Sequence, residues 1–153
     1  MATQPPTTFG TSLLLEDGDF VLAAHDLALV SGRANLLQAL QVMVQTGFGS
    51  DVFNVNYGFD AQAVFTTAQS TRATKDLIRL HVVKSISQDN RVTLIKDVVF
   101  DDDPAYYAYL PGEDAAANAA ARHDSRQWQA LVVLQTIAAG EVALRLEGTG
   151  LSS

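Results

Sequence analysis

The sequence predicts an α+β domain. Three features carry that reading. Two apolar runs flank an Asp-Gly turn near the start, two segments repeat apolar residues at three-four spacing, and the last third holds apolar runs separated by small residues. The expected architecture is two packed helices with an N-terminal β-hairpin and a small antiparallel C-terminal sheet. A single domain is expected over residues 12–153, preceded by a flexible polar lead over residues 1–11.

Leu13-Leu14-Leu15-Glu16-Asp17-Gly18-Asp19-Phe20-Val21-Leu22-Ala23 reads as the hairpin, because Asp-Gly supplies the positive φ angles of a tight turn. Leu27-Ala28-Leu29-Val30 is a short extended piece. Ser31 is placed to cap a helix that begins at Gly32 or Arg33 and ends at Gln45. Leu36, Leu37, Leu40, Met43 and Val44 form its buried face, and Gly47 and Gly49 stop it. A second helix is expected from Thr71 to Ser87. Its apolar residues Ile78, Leu80, Val82, Val83 and Ile86 cover an arc of about 200°, wider than one stripe requires. Arg79 falls inside that arc, where it either snorkels at the edge or pairs with an acidic neighbour on a helix contacted from two sides.

Val92–Phe100 reads as a strand. Residues 101–126 break the pattern as a long acidic surface excursion with a helical turn or two. Trp128–Ile137 and Glu141–Glu147 then form a hairpin about Ala138-Ala139-Gly140. No internal repeat is evident.

Composition narrows the function classes. The chain has 153 residues, 48% hydrophobic and only 18% charged, with mean hydropathy +0.10. So few charges lean toward surface buried against neighbours. A net charge of -7 and a pI near 4.7 offer no electrostatic grip on nucleic acid or anionic lipid. The absence of cysteine excludes disulfides and thiolate metal sites. The first eight residues lack the charged and apolar regions of a signal peptide, and no apolar run has the length of a membrane span. A cytoplasmic protein without direct membrane insertion is expected.

Residues that could carry chemistry are poorly arranged for it. Asp101-Asp102-Asp103 lacks the alternation and glycine of a calcium loop. Glu16, Asp17 and Asp19 crowd one turn rather than facing each other across a cleft. His25, His81 and His123 are scattered, and no glycine-rich phosphate loop or nucleophile elbow is present. Tyr106, Tyr107 and Tyr109 suit a partly packed loop better than a sticky patch. No catalytic residue, cofactor or metal is expected.

One set of spacings does match a known pattern. Leu29-Val30-Ser31-Gly32, Asn35-Leu36-Leu37-Gln38-Ala39-Leu40, Gln45-Thr46-Gly47-Phe48-Gly49 and Asn56-Tyr57-Gly58, in that order, resemble the small baseplate wedge, or sheath-initiator, family of contractile injection machines. Its members, sometimes labelled lysozyme-like, occur in contractile-tailed phages, type VI secretion systems and extracellular injection particles. Val83-x-x-Ile86-x-x-Asp89-Asn90-Arg91-Val92 is similar to the family's helix end and its Glu-Pro-Arg-Val signature, with Asp89 and Asn90 departing from it. Ser50 departs as well, and the 101–126 excursion exceeds the usual turn. The resemblance covers roughly residues 20–100.

That resemblance implies a fold similar to the terminal domain of the sheath subunit. It also implies a structural role in a phage tail-like particle. Six copies would surround the tube, with sheath protein, other wedge proteins and the inner tube or hub as partners. Sheath arms would add to exposed strand edges. Asn35, Leu36, Gln38, Leu40, Thr46, Gly47, Gly49, Tyr57, Gly58, Asp89, Arg91 and Val92 are the implied family positions. Leu36, Leu40, Val44, Leu80, Val83 and Ile86 would join the two helices. Thr46, Gly47, Gly49, Tyr57 and Gly58 would shape the bend. Asp89 and Arg91 would fix the helix-to-strand junction or bind a neighbouring chain. Arg91 is expected to matter more for assembly than for folding. Arg79, Val92, Leu94, Val98, Trp128, Leu131, Val133, Val142, Leu144 and Leu146 are the expected partner interface. A peptidoglycan-degrading enzyme and a stand-alone binding module are the alternatives.

Overall fold

The computed structural model describes residues 9–67, 70–125, 127–138 and 140–149; most of the expected lead, residues 1–8, lies outside them. Order begins earlier than the sequence suggests. Phe9 is a core residue, 6% exposed, and Thr11 already opens a strand.

The N-terminal part is more elaborate than one hairpin. Strands β1 (Thr11–Leu13) and β6 (Leu29–Ser31) pair as an antiparallel stem. Between them, β2 (Leu15–Glu16) pairs with β3 (Asp19–Phe20), and β4 (Leu22–Ala23) pairs with β5 (Asp26–Leu27). The three ladders meet at a closed ring of backbone hydrogen bonds. Leu14 N–H donates to Ala28 O (2.8 Å), Ala28 N–H to Val21 O (2.8 Å), and Val21 N–H to Leu14 O (3.1 Å). These residues are spaced by seven, and Leu15-x-x-x-Asp19-Phe20 repeats as Leu22-x-x-x-Asp26-Leu27. A short internal repeat is therefore present where none was evident. In both arms the Asp carboxylate accepts from the next N–H, at 2.7 Å (Phe20) and 2.8 Å (Leu27). Both arms turn through a left-handed residue, Asp17 (φ 51°) and Ala24 (φ 56°).

Helix α1 (Gly32–Gln45) follows. Ser31 occupies its N-cap in extended conformation but makes no side-chain capping bond. A bend leads to α2 (Ala61–Thr67), and Ser70 caps α3 (Thr71–Ile86) by accepting from Ala73 N–H at 3.2 Å. Strand β7 (Val92–Phe100), β8 (Gln127–Thr136) and β9 (Gly140–Thr149) form an antiparallel sheet in the order β7-β8-β9. The class expected from sequence, α+β with a small C-terminal antiparallel sheet, is the class observed.

Helices α1 and α3 pack on one face of this sheet. Leu36, Leu40, Ile78, Val82 and Ile86 meet Val98, Phe100, Trp128, Ala130, Val132, Leu134, Val142, Leu144 and Leu146 in the main core. Leu80 and Val83 do not join it, being 61% and 38% exposed. At about 100° per residue Leu80 lies roughly opposite Ile78, so the inner face is the i, i+4, i+8 row of Ile78, Val82 and Ile86, flanked by Leu77 and the buried Ser85.

The excursion is no loose loop. It contains α4 (Pro104–Tyr109), capped by Asp103 with proline in its first turn, and α5 (Ala115–Ser125). Tyr106, fully buried, packs with Val99, Leu131 and Val133 as a second core on the other sheet face. Its hydroxyl donates to Gln129 Oε1 at 2.9 Å. Arg122 ties α5 down through the buried Asp101 carboxylate at 2.7 Å. Among the described residues, no helix is long and apolar enough to cross a membrane.

Candidate functional site

The residues singled out in the sequence fall into two groups with different surroundings. The first is an internal clamp. The Gln38 side-chain amide pairs with the stem backbone, accepting from Leu15 N–H at 3.0 Å and donating to Leu13 O at 2.8 Å. Asn35 accepts from the Ser12 hydroxyl and donates to Phe9 O at 2.8 Å. Arg91 reaches the same Phe9 carbonyl through Nη1 at 3.0 Å while holding Asp89 with its other nitrogens. Asn35, Gln38, Asp89 and Arg91, distant in sequence, thus converge on the chain entering the stem.

Electrostatics match this packing. Burial alone would raise the Asp89 carboxyl, but hydrogen bonds and charge from Arg91 hold it below its usual value. Arg91 is raised, chiefly by its hydrogen bonds to Asp89. Of the two expected roles for this pair, the geometry is that of the junction: Arg91 spends its guanidinium donors within the chain. These contacts give Arg91 a part in holding the fold itself, beside the larger effect on assembly expected of it.

The bend residues also come together. Phe59 N–H donates to Thr46 O at 2.8 Å, Phe48 N–H to Phe59 O at 3.0 Å and Gly49 N–H to Tyr57 O at 3.3 Å. Gly58 (φ 107°) crosses so close to this pairing that a Cβ there would lie 2.6 Å from Thr46 O. Gly49 also takes positive φ (76°), whereas Gly47 does not, and works instead by bridging to Phe59. Tyr57 is half-buried. Within the bend, the Asp51 carboxylate accepts from Phe53 and Asn54 N–H and presents Phe53 fully exposed at a loop tip.

The second group, the expected partner interface, is mostly interior. Val98, Trp128, Leu131, Val133, Val142, Leu144 and Leu146 are buried, because helices cover both faces of the sheet at these positions. Their side chains are not available to a partner in this arrangement. Leu94 is 52% exposed and Val92 half-buried. Arg79 pairs with Asp76 on its own helix at 2.9 Å, stacks over Phe100 at 5.0 Å and donates from Nε to Val98 O at 3.0 Å.

What remains for recognition is the backbone of the two outer strands, and the two edges differ. On β7, register shifts fall between Val92 and Leu94 and between Ile95 and Asp97. Arg79 occupies Val98 O, and the Asp97 carboxylate occupies Val98 N–H at 2.8 Å. Bulges and side-chain caps of this kind block strand addition. Strand β9 pairs with β8 residue for residue from Gly140 to Thr149 without a bulge. Its far edge has no backbone partner among the described residues. Beside it lies a groove of about 530 Å³ between α1 and β9, lined by Leu37, Val44, Phe59, Trp128, Leu144 and Leu146 and also by Gln41, Gln45, Arg145 and Glu147. A straight bare edge beside a groove with apolar and polar lining can accept an extended strand, with the backbone supplying affinity and the groove taking alternate side chains.

Neither a scan against protein-family models nor a search of curated proteins returns a match for this chain.

Proposed function

We propose that this chain is a structural baseplate component of a contractile injection particle and seeds sheath assembly by receiving an extended arm on β9. The observation that carries the reading is the contrast between the bulged, capped edge of β7 and the regular, open edge of β9. The order and spacing of the Asn35–Leu40, Thr46–Gly49 and Asn56–Gly58 segments support it, as do the clamp and bend these segments build. The partners in this reading are sheath arms on β9 and wedge or tube proteins on exposed apolar surface elsewhere, including Phe53, Leu80 and Leu94. The role is structural, with six copies around the tube.

Gradient sedimentation of native lysate tests it. The chain is expected to pellet with sheath and tube proteins at a small fixed ratio to sheath. Intact particles that pellet without it would overturn the reading. Clearing of a peptidoglycan suspension by the purified chain would overturn the non-enzymatic part.

A further inference from the structure

We propose that β9 also pairs with β9 of a second copy of this chain, antiparallel about a two-fold axis at Ala143, joining two three-stranded sheets into one of six strands. This goes beyond the assembly role and does not depend on it.

A two-fold interface must be self-complementary: residue i meets residue j, and j meets i. In a sheet with two distinct faces, like faces must also stay together, so the axis has to pass through a residue rather than between residues. Strand β9 alternates strictly. Val142, Leu144 and Leu146 are buried toward α1 and α3, and Glu141, Ala143, Arg145 and Glu147 are exposed on the other side. Charge and the core-side pairing together select the register. Centring on Leu144 sets Glu141 against Glu147, centring on Arg145 sets arginine against arginine, and centring on Val142 leaves Glu141 facing Ala143; centring on Leu146 matches Arg145 with Glu147 but sets Leu144 against Gly148 on the core side and leaves Glu141 beyond the pairing. Centring on Ala143 sets Glu141 against Arg145 of the second copy, twice by symmetry, with the small alanine at the axis. On the core side the same register places Val142 opposite Leu144, extending the apolar surface at the mouth of the groove.

The neighbouring charges agree with this choice. Within the chain Glu141 already pairs with Lys96 at 2.6 Å, and Arg145 with Glu113 at 2.5 Å. In the paired sheet these join as Lys96, Glu141, Arg145 and Glu113 with alternating sign across the interface, on each side of the axis. A net charge of -7 per chain opposes association in general, so a local pattern of this kind is what a specific dimer requires. The dimer covers the bare edge until a competing strand displaces the second copy.

The register makes the test specific. Sedimentation velocity of the intact chain is expected to show a dimer. Glu141→Arg alone, or Arg145→Glu alone, puts like charges opposite each other twice and should weaken the dimer roughly tenfold or more. Mixing the two variants restores both pairs in a heterodimer and should restore association. The chain has no cysteine, so Ala143→Cys introduces a lone thiol that should link two copies at the axis on mild oxidation. Matching thermal melts would show that the variants fold. A wild-type chain that stays monomeric, a dimer indifferent to both charge reversals, or variants that mixing does not rescue would overturn the proposal. None of these results bears on particle sedimentation, so the two readings fail separately.

Discussion

Arg91 holds Asp89 with two parallel hydrogen bonds, Nε to Oδ1 at 2.9 Å and Nη2 to Oδ2 at 2.6 Å, where α3 gives way to β7. The carboxylate also accepts from the Arg91 N–H at 2.9 Å, so the pair fixes both side chain and backbone at the turn. With Nη1 on Phe9 O, the same guanidinium joins the helix-strand junction to the N-terminal stem. Arg91→Ala is expected to cost about 2–3 kcal/mol, since it removes both side-chain donors from a largely buried carboxylate and leaves it only the backbone N–H. Arg91→Lys should recover less than half, because an ammonium cannot form the fork. Urea denaturation of the two variants checks both values.

Asp89 also predicts an acid sensitivity. Its folded pKa lies below its unfolded value, so its stabilising effect is complete above the unfolded carboxylate range, near about pH 4, and is lost as pH falls through the folded value. Asp102, lowered by its contact with Lys75 against the effect of burial, acts in the same direction. Urea midpoints should therefore fall as pH drops below about 4. Asp89→Asn should be less stable at neutral pH and flatter across that window. An equally steep acid limb in the variant would show that other carboxylates dominate.

Two glycines are predicted to resist substitution for different reasons. At Gly58 an added Cβ would meet backbone, 2.6 Å from Thr46 O, at a φ of 107° that other residues rarely adopt. Gly58→Ala is expected to cost about 3 kcal/mol or more and to loosen the bend. At Gly148 the obstacle is Trp128, whose indole lies 2.6 Å from the same hypothetical atom. Gly148→Ala should cost about 1–3 kcal/mol and shift the emission of Trp128, the sole tryptophan, as the ring moves. Thermal melts followed by fluorescence measure both.

Ala24 is a site for stabilisation. It turns the second arm with φ 56°, a conformation that costs a residue with a Cβ about 1 kcal/mol. Ala24→Gly should raise the melting temperature by a few degrees, less than the full strain because glycine gains freedom in the unfolded chain. A lower melting temperature would mean that the Ala24 methyl makes contacts that outweigh its strain.

Periodicity was enough to find α1 and α3, and the Asp17-Gly18 turn and the three long strands were equally plain. Helix α2 was missed because it is short and has a single buried residue, Val64. Helix α5 was expected only as a helical turn or two, because its alanine-rich segment offers no large apolar residue at helical spacing. The covering of the second sheet face was nonetheless written in β8. Leu131-Val132-Val133-Leu134 is apolar without alternation, the pattern of a strand buried on both sides, and the 101–125 segment is what supplies the cover. Asn35, Gln38 and Arg91 were singled out by the family resemblance alone, and what they touch was not legible, since Leu13, Leu15 and Phe9 O lie far away in sequence. Nor could the choice of edge be read. It depends on bulges in β7 and on Arg79 reaching Val98 from another element, and neither leaves a local signal.

The closed ring at Leu14, Val21 and Ala28 gives the N-terminal segment an unusual freedom. Each arm leaves the ring and returns to it at neighbouring points, so an arm's length is decoupled from the path of the rest of the chain. Residues added in pairs at the Asp17-Gly18 or Ala24-His25 tip would lengthen one ladder while the stem, the other arm and the Gln38 clamp keep their geometry. The arms are therefore the place where this chain can carry an epitope or a reporter and still fold around it.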